Sequence, residues 1–391
     1  MEEAAGGDHI AIDVDGLSTE LKKMMCSTNL TMSSKCCIFR VPNILSRHNP
    51  KAYTPNAFSI GPFHYNKPHL KATQKIKLKY LRGLISRFQS PETMLTQLTK
   101  AIVEVQNEAR ECYAGPIDMS NMDEFIKVLV LDSCFIIELF RKFTWKDLRE
   151  VDDPIFNMPC ILKFLYHDLI LLENQIPWFV LKRLYNLTMT TRIEQSTPLS
   201  LLAIAFFGHS LYSRSFPSVE ALKMFVSEKH ESKHILDLLR DSLVLSSHIR
   251  KDRYYNFDYS QPMPSATSLK AAGIRFKMGT SESILDIKFR KDEGILEIPP
   301  LEIQETTESL FRNLISLEQC LPNCEGIITS YAILLDNLVS STKDMEILCK
   351  NLLLRSMIIA DAVGINTEEC SCMTISNTLG RLFRSSAQPS Y

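Results

Sequence analysis

Leu95, Leu98, Ile102, Val105, Ala109 and Cys112 recur at intervals of 3, 4, 3, 4 and 3, the seam of a helix that buries one face. Gly115-Pro116 closes that element, because the pair favours a turn over helix continuation. Asn121 with Glu124 three residues on has the spacing of a helix cap, and predicts a helix through about Phe143. Its centre, Phe125 to Phe140, is apolar nearly all round, which predicts burial on every side. Asp132 and Glu138 interrupt the run; a buried Asp132 is expected to hydrogen-bond to a neighbouring element, near Asn174. Before these helices, the pattern predicts another over about 70–88, with Leu81, Leu84, Ile85 and Phe88 on one stripe. Lys71, Lys75, Lys79 and Arg82 form a second, basic stripe.

The densest stretch is Asp168-Leu-Ile-Leu-Leu-Glu-Asn-Gln-Ile-Pro-Trp-Phe-Val-Leu181. Pro177 lacks an amide hydrogen and turns Ile176 away from helical dihedrals. One helix is therefore expected to end near Glu173 and the next to begin at Pro177, with Asn174 and Gln175 capping the break. Asp168 and Glu173 sit among apolar residues and need partners if buried. Two carboxylates so placed suit acid–base chemistry. They equally suit hydrogen bonding at a buried helix break, and no catalytic partner stands at a recognisable spacing, so the second reading leads.

Between residues 35 and 70, five prolines and one glycine interrupt apolar residues, which predicts an ordered but irregular segment anchored by Phe39, Tyr53, Phe58, Phe63 and Tyr65. Arg40, Arg47, His48 and His64 are expected to serve the carbonyls this segment exposes rather than an anion. After a short buried helix over 198–207, two amphipathic helices are expected near 218–228 and 234–245, then a loop over about 252–268. Past the loop the period becomes two: Leu285, Ile287 and Phe289 alternate with Asp286 and Lys288. A turn over 290–294, a strand over 295–299 and a third near 273–276 predict a small antiparallel hairpin or meander leaning on the helices. Helices return at about 308–320, 327–340 and 344–363. The fold class is mainly α: one multi-helix domain over 34–363, with a polar tail over 1–33 and an unstructured one over 364–391.

Composition adds limits. With 45% hydrophobic and 23% charged residues in 391, the chain can bury a sizeable core. Eleven cysteines and an acidic, non-apolar start predict a reduced compartment rather than a disulfide framework. The longest uncharged run, Gln195 to Ser213, has an apolar centre of only 199–207, too short for the ~20 residues that cross a bilayer. Charge is uneven: six acids and no base occur in the first 20 residues, then 13 bases and no acid from 21 to 91. The remainder holds 45 − 6 = 39 acids and 44 − 13 = 31 bases, so internal pairing is the favoured use of the basic stretch. The basic stripe of Lys71, Lys75, Lys79 and Arg82 also suits an acidic protein or an anionic membrane surface. His230 and His234 have a metal-ligand spacing but no third ligand, and read as surface residues; Cys320 with Cys324, and Cys370 with Cys372, read as ordinary thiols. No phosphate loop, nucleophile elbow, zinc constellation or nucleic-acid reader occurs, so no catalytic, cofactor or metal residue is assigned and no nucleic-acid partner is expected.

The motifs FRVPNILSRHNPKAYTPNAFSIGPFHYNKPHL, VLVLDSCFIIELF, DLILLENQIPWFVL, LKAAGIRFK, SILDIKFRKDEGILEIPPLEI and LFRNLISLEQC follow one another between Ile38 and Asp344. In this order they resemble the plant family known as domain of unknown function 247. The resemblance implies a mostly helical fold and a land-plant source, and carries no established activity. Some members are associated with self-incompatibility loci of grasses, which implies recognition or signalling. Members usually continue into a C-terminal hydrophobic anchor, whereas this chain reads Gln388-Pro-Ser-Tyr391 at its end. The expected location is thus cytoplasmic, or peripheral at the plasma membrane. The expected function is a non-enzymatic interaction module, presenting the basic stripe and the loop around 53–69 to a protein partner. The alternative is a hydrolase-like enzyme using Asp132, Asp168 and Glu173.

Overall fold

A computed structural model describes residues 13–27, 33–119, 121–211, 231–245, 263–281, 283–351 and 354–356. The expected helix over 218–228, His230, Cys370 and Cys372 lie outside the described residues. The first element is α1 (Val14–Ser27), set within the stretch expected to be a loose polar tail. Its Val14, Leu17, Leu21 and Met24 are all more than half exposed. A short α2 (Asn43–Ser46) and turns of 3-10 helix at Pro50–Tyr53 and Pro68–Thr73 punctuate the irregular segment. The prolines set these breaks, and Phe39, Tyr53, Phe58 and Phe63 are buried as its anchors.

The next three helices are α3 (Gln74–Ile85), α4 (Pro91–Glu111) and α5 (Met122–Thr144). The Asn121 side chain accepts from the Glu124 amide at 2.9 Å, as the cap spacing predicts. Asp123 and Glu124 in the first turn, with Arg141 and Lys142 in the last, complement the helix dipole. From Phe125 to Phe140 only Lys127 and Leu131 escape burial, so the all-round apolar pattern was a true signal of a central helix. The elements α6 (Pro159–Leu169), α7 (Trp178–Leu187), α8 (Arg192–Ser196) and α9 (Leu199–Leu211) follow, and α3, α4, α7 and α9 surround α5. Here α9 runs past Gly208, four residues beyond the apolar run that predicted it. Leu98, Ile102, Ala109 and Cys112 of the 3–4 seam are buried, while Leu95 at its N-terminal end is 37% exposed.

The second half contains α10 (Ile235–Leu245), α11 (Ala266–Ala271), α12 (Thr307–Cys320), α13 (Ile327–Leu338) and α14 (Thr342–Lys350). Helix α10 touches both α9 and α12, and α12 also meets the Pro50–Tyr53 turn, so the irregular segment bridges the two halves. Residue 266 begins α11, inside the region expected to be a loop through 268.

The sheet corrects two expectations. Strands β1 (Arg275–Met278), β2 (Lys288–Arg290) and β3 (Ile295–Ile298) lie in the order β1-β3-β2. β2 pairs with β3 antiparallel, but β1 pairs with β3 parallel, Arg275 opposite Ile295, so the sheet is mixed rather than antiparallel. Alternation reports which face a side chain takes, not which way the neighbouring strand runs; here 279–294 form a crossover that contains β2 itself. The strand expected from 284 begins only at 288, because Ile284 and Leu285 are buried in a turn where Asp286 N–H donates to Ser283 O at 3.3 Å. The second correction concerns the helix expected over 344–363. It stops at Lys350, and Leu354–Ser356 form β5, parallel to β4 (Leu301–Ile303). A run of leucines serves either period, and pairing with β4 decided it.

Candidate functional site

The break between α6 and α7 organises the structure. Helix α6 ends at Leu169, four residues earlier than Pro177 alone suggested, and Pro177 is the residue before α7 rather than its first. Between them, Asn174 and Gln175 take up the carbonyls that α6 leaves over. Asn174 Nδ2 donates to Asp168 O at 2.8 Å and to Phe58 O at 3.0 Å. Gln175 Nε2 donates to Leu169 O and Leu171 O at 2.7 and 2.9 Å. Each amide also reaches another element, since Asn174 Oδ1 accepts from Ile60 N and Gln175 Oε1 from Leu236 N at the start of α10.

Asp168 is fully buried and spends its carboxylate on backbone: the amides of Asn56, Ala57 and Phe58 donate to it at 2.7, 2.8 and 2.7 Å. His167 Nδ1 lies 3.0 Å from the same carboxylate. The amides of Ile60 and Gly61 continue the pattern, Ile60 to Asn174 and Gly61 to Asp132 Oδ2 at 2.9 Å. Gly61 has φ +69, and a Cβ there would sit 2.5 Å from the Gln175 carbonyl, so both dihedral and space exclude a side chain. Phe58 closes the contact by stacking on Phe135 of α5, centroids 5.4 Å apart. Asn313 of α12 ties in the second half: its Nδ2 donates to Ala52 O at 2.8 Å and its Oδ1 accepts from Leu172 N at 2.9 Å.

Asp132 has Lys77 of α3 as its counter-charge, and Lys77 also donates to Ser59 O. Both are buried, Lys77 completely. Burial pushes the Asp132 carboxyl above its ordinary range, against the opposing pull of Lys77 and the Gly61 amide. Asp132 does approach Asn174, but one residue removed, through adjacent amides of one strand of loop. Further buried charges are closed in the same manner: Lys142 on Asp153 at 2.9 Å with Tyr80 Oη at 2.8 Å, Arg141 on Glu194 at 3.1 Å, and Arg87 on Glu138.

Glu173 differs. Its side chain keeps 15% exposure, Oε1 accepts from Val41 N at 2.8 Å, and Oε2 lies 3.4 Å from His64 Nε2 and 4.0 Å from Arg40 Nη1. Burial raises the Glu173 carboxyl, opposed by Val41 N–H, Arg40 and Lys67. Burial, with Lys67 and Arg40 nearby, lowers His64 to about 3, so the imidazole is neutral at physiological pH. The expectation that Arg40 and His64 serve loop carbonyls fails: Arg40 lies over the Phe63 ring at 4.3 Å, and His64 faces Glu173 without hydrogen-bond geometry.

Asp132, Asp168 and Glu173 are therefore brought to one polar seam, but they meet backbone amides and cations rather than each other. Lys77 was missed by sequence reasoning because it stands among stripe lysines. Its signal was the spacing to Tyr80 and Leu84, which places it on the buried face of α3. The stripe itself divides. Lys79 is engaged by Asp152 at 2.7 Å and Glu150 at 3.1 Å, while Lys71, Lys75 and Arg82 face solvent. His234, expected at the surface, is fully buried; Nε2 pairs with Cys37 O at 3.0 Å and Nδ1 accepts from Asp237 N at 3.2 Å, capping α10. Among the described residues no group of three or more His, Cys, Asp or Glu could hold a metal ion, and no helix is long and apolar enough to cross a membrane.

A central helix ringed by others, with an irregular N-terminal segment stitched to a helix break by buried carboxylates and amides, defines a helical protein held together by backbone recognition. The family model described as "Plant protein of unknown function", domain of unknown function 247, matches residues 38–379, and the chain belongs to that family. It is similar to the UPF0481 protein At3g47200 of Arabidopsis thaliana, at 29% identity over 90% of this chain and 74% of that one. It is also similar to the putative UPF0481 protein At3g02645 of the same plant, at 21% identity over 83% of this chain and 75% of the relative. No solved structure matches the chain.

Proposed function

We propose that this chain is an interaction module that meets an acidic protein partner through the solvent face of α3. One observation carries the reading: Leu78, 53% exposed, stands on that face between Lys75 and Arg82 at helical spacings of three and four, with Lys71 one turn before. Among the described residues, none of these three bases forms an ion pair. An apolar side chain ringed by cations gives an acidic surface both long-range attraction and a contact to bury. Lys79, tied to Glu150 and Asp152, adds less to this face than its place in the stripe suggested. The burial of Asp132 and Asp168, with their oxygens given to amides and Lys77, supports a structural rather than a catalytic use of both. The role assigned is recognition or signalling by a cytoplasmic or membrane-peripheral protein.

Affinity purification from native plant tissue tests this, comparing the wild type with K75E/R82E and separating soluble from membrane fractions. Acidic proteins retained by the wild type, released by salt and lost from the charge-reversed protein support the proposal. An identical set of retained proteins overturns it, as does loss confined to anionic vesicles.

A further inference from the structure

Cys36, Cys37 and Cys112 gather as buried free thiols where the irregular segment meets the end of α4. The amides of Cys37 and Ile38 both donate to the Cys112 carbonyl at 2.9 Å, and Ala114 N–H donates to Ile38 O at 2.8 Å. Ile38 pairs with Tyr113 in a parallel bridge, which sets Cys37 beside Cys112 one residue earlier on each strand. Neighbours on paired strands lie about 5 Å apart at Cα, inside the span a disulfide requires. The Cys112 thiol donates to Glu108 O at 3.4 Å, one turn earlier in α4. Exposures of 2% and 5% admit only a small reagent.

We propose that Cys37 and Cys112 form a redox pair that closes to a disulfide in the presence of hydrogen peroxide, stapling the N-terminal segment to the end of α4. Cys112 is the attacking residue. The adjoining Cys37 thiol and the Lys35 ammonium hold the Cys112 thiol below its usual range against burial, while the adjoining Cys112 thiol and burial push Cys37 well above its own. Cys112 sulfur attacks one peroxide oxygen; the O–O bond breaks, sulfenic acid forms, and the departing hydroxide leaves as water with the thiol proton. Cys37 sulfur then attacks the sulfenic sulfur, the S–O bond breaks, and hydroxide leaves as a second water with the Cys37 proton. Two thiols are oxidised by two electrons and one peroxide is reduced, with no further reagent. The staple would lie four residues before Val41, whose amide binds Glu173, and at the carbonyl that receives His234. Oxidation would thus fix the entry of the segment into the polar seam.

The test uses the full chain, reduced, freed of reductant, exposed to hydrogen peroxide, alkylated and mapped by mass spectrometry. A peptide linking residue 37 to 112, lighter by two hydrogens and reopened by dithiothreitol, is the expected product. The melting temperature should rise by about 5 °C on oxidation, for closure of a loop of this length in a chain of this size. C36S should keep the link and the rise; C112S, shown folded by circular dichroism, should lose both. A dominant link from Cys36 to Cys112 or to Cys320, conversion of Cys112 to sulfinic acid without a link, or no change in mass overturns the proposal. The wild-type map decides the matter even if a variant fails to fold.

Discussion

Replacing Lys77 by methionine keeps most of the side-chain volume and removes the counter-charge of Asp132. Lys77 is completely buried, so no water replaces it, and breaking a buried pair from one side costs about 3–5 kcal/mol. The loss has a pH signature that packing damage lacks. Asp132 has an ordinary value of 3.8 and is already raised in the folded protein, and removing Lys77 raises it further. A raised carboxyl leaves stability intact below the unfolded value and costs stability progressively as pH climbs toward the folded value. Neutralising the carboxyl instead of burying its charge caps the cost at about 1.36 kcal/mol per pH unit above 3.8, roughly 1.6 kcal/mol at pH 5 and 5.7 kcal/mol at pH 8. The Ser59 carbonyl also loses its donor, a contribution of about 1–3 kcal/mol that does not change with pH. Urea unfolding of wild type and K77M at both pH values measures the difference. The expected loss is about 3–5 kcal/mol at pH 8 and distinctly smaller at pH 5. A loss under about 1 kcal/mol at pH 8, or one that does not grow with pH, would show that Lys77 does not neutralise Asp132.

Substitutions at two further positions, Asp168 and Gly61, probe the same seam. Asp168→Ala strips the acceptor from three amides, so a loss of about 3 kcal/mol or more is expected in the same unfolding assay, and Asp168→Asn should recover part of it. Gly61→Ala combines a left-handed backbone with a Cβ pressed on the Gln175 carbonyl, and should lower folded yield and melting temperature, whereas Gly115→Ala, at φ +85 but in open space, should cost less.

Most of this seam could be read from the residues because its chemistry is local. Pro177 announced the break, and two amides beside it had carbonyls of the preceding turn to satisfy, which is what Asn174 and Gln175 do. The burial of α5 followed from apolarity on every face. What the pattern could not carry was the distant partner. Nothing near Asp168 in the chain points to the amides of 56–58, over a hundred residues earlier, and backbone amides leave no trace in composition. Lys77 was legible from its spacing to Tyr80 and Leu84 but was masked by the charge around it. The mixed sheet and the β4–β5 pair failed for another reason: strand direction and a helix-to-strand change in a leucine run are settled by tertiary pairing.

The polar seam grips the 56–61 segment by its main chain: Asp168, Asn174 and Asp132 take amides from Asn56, Ala57, Phe58, Ile60 and Gly61. Apart from the buried side chains of Phe58, Ser59 and Ile60 and the glycine at 61, the path of the segment is thus set by atoms that every non-proline residue possesses. Outward positions such as exposed His69, further along, can change identity without altering where the loop runs, whereas Asn56 and Asn66 are held to His167 and to Asp118 O at 3.0 and 2.9 Å. A protein so built can diversify the surface of one loop while its folding instructions stay in the residues behind it.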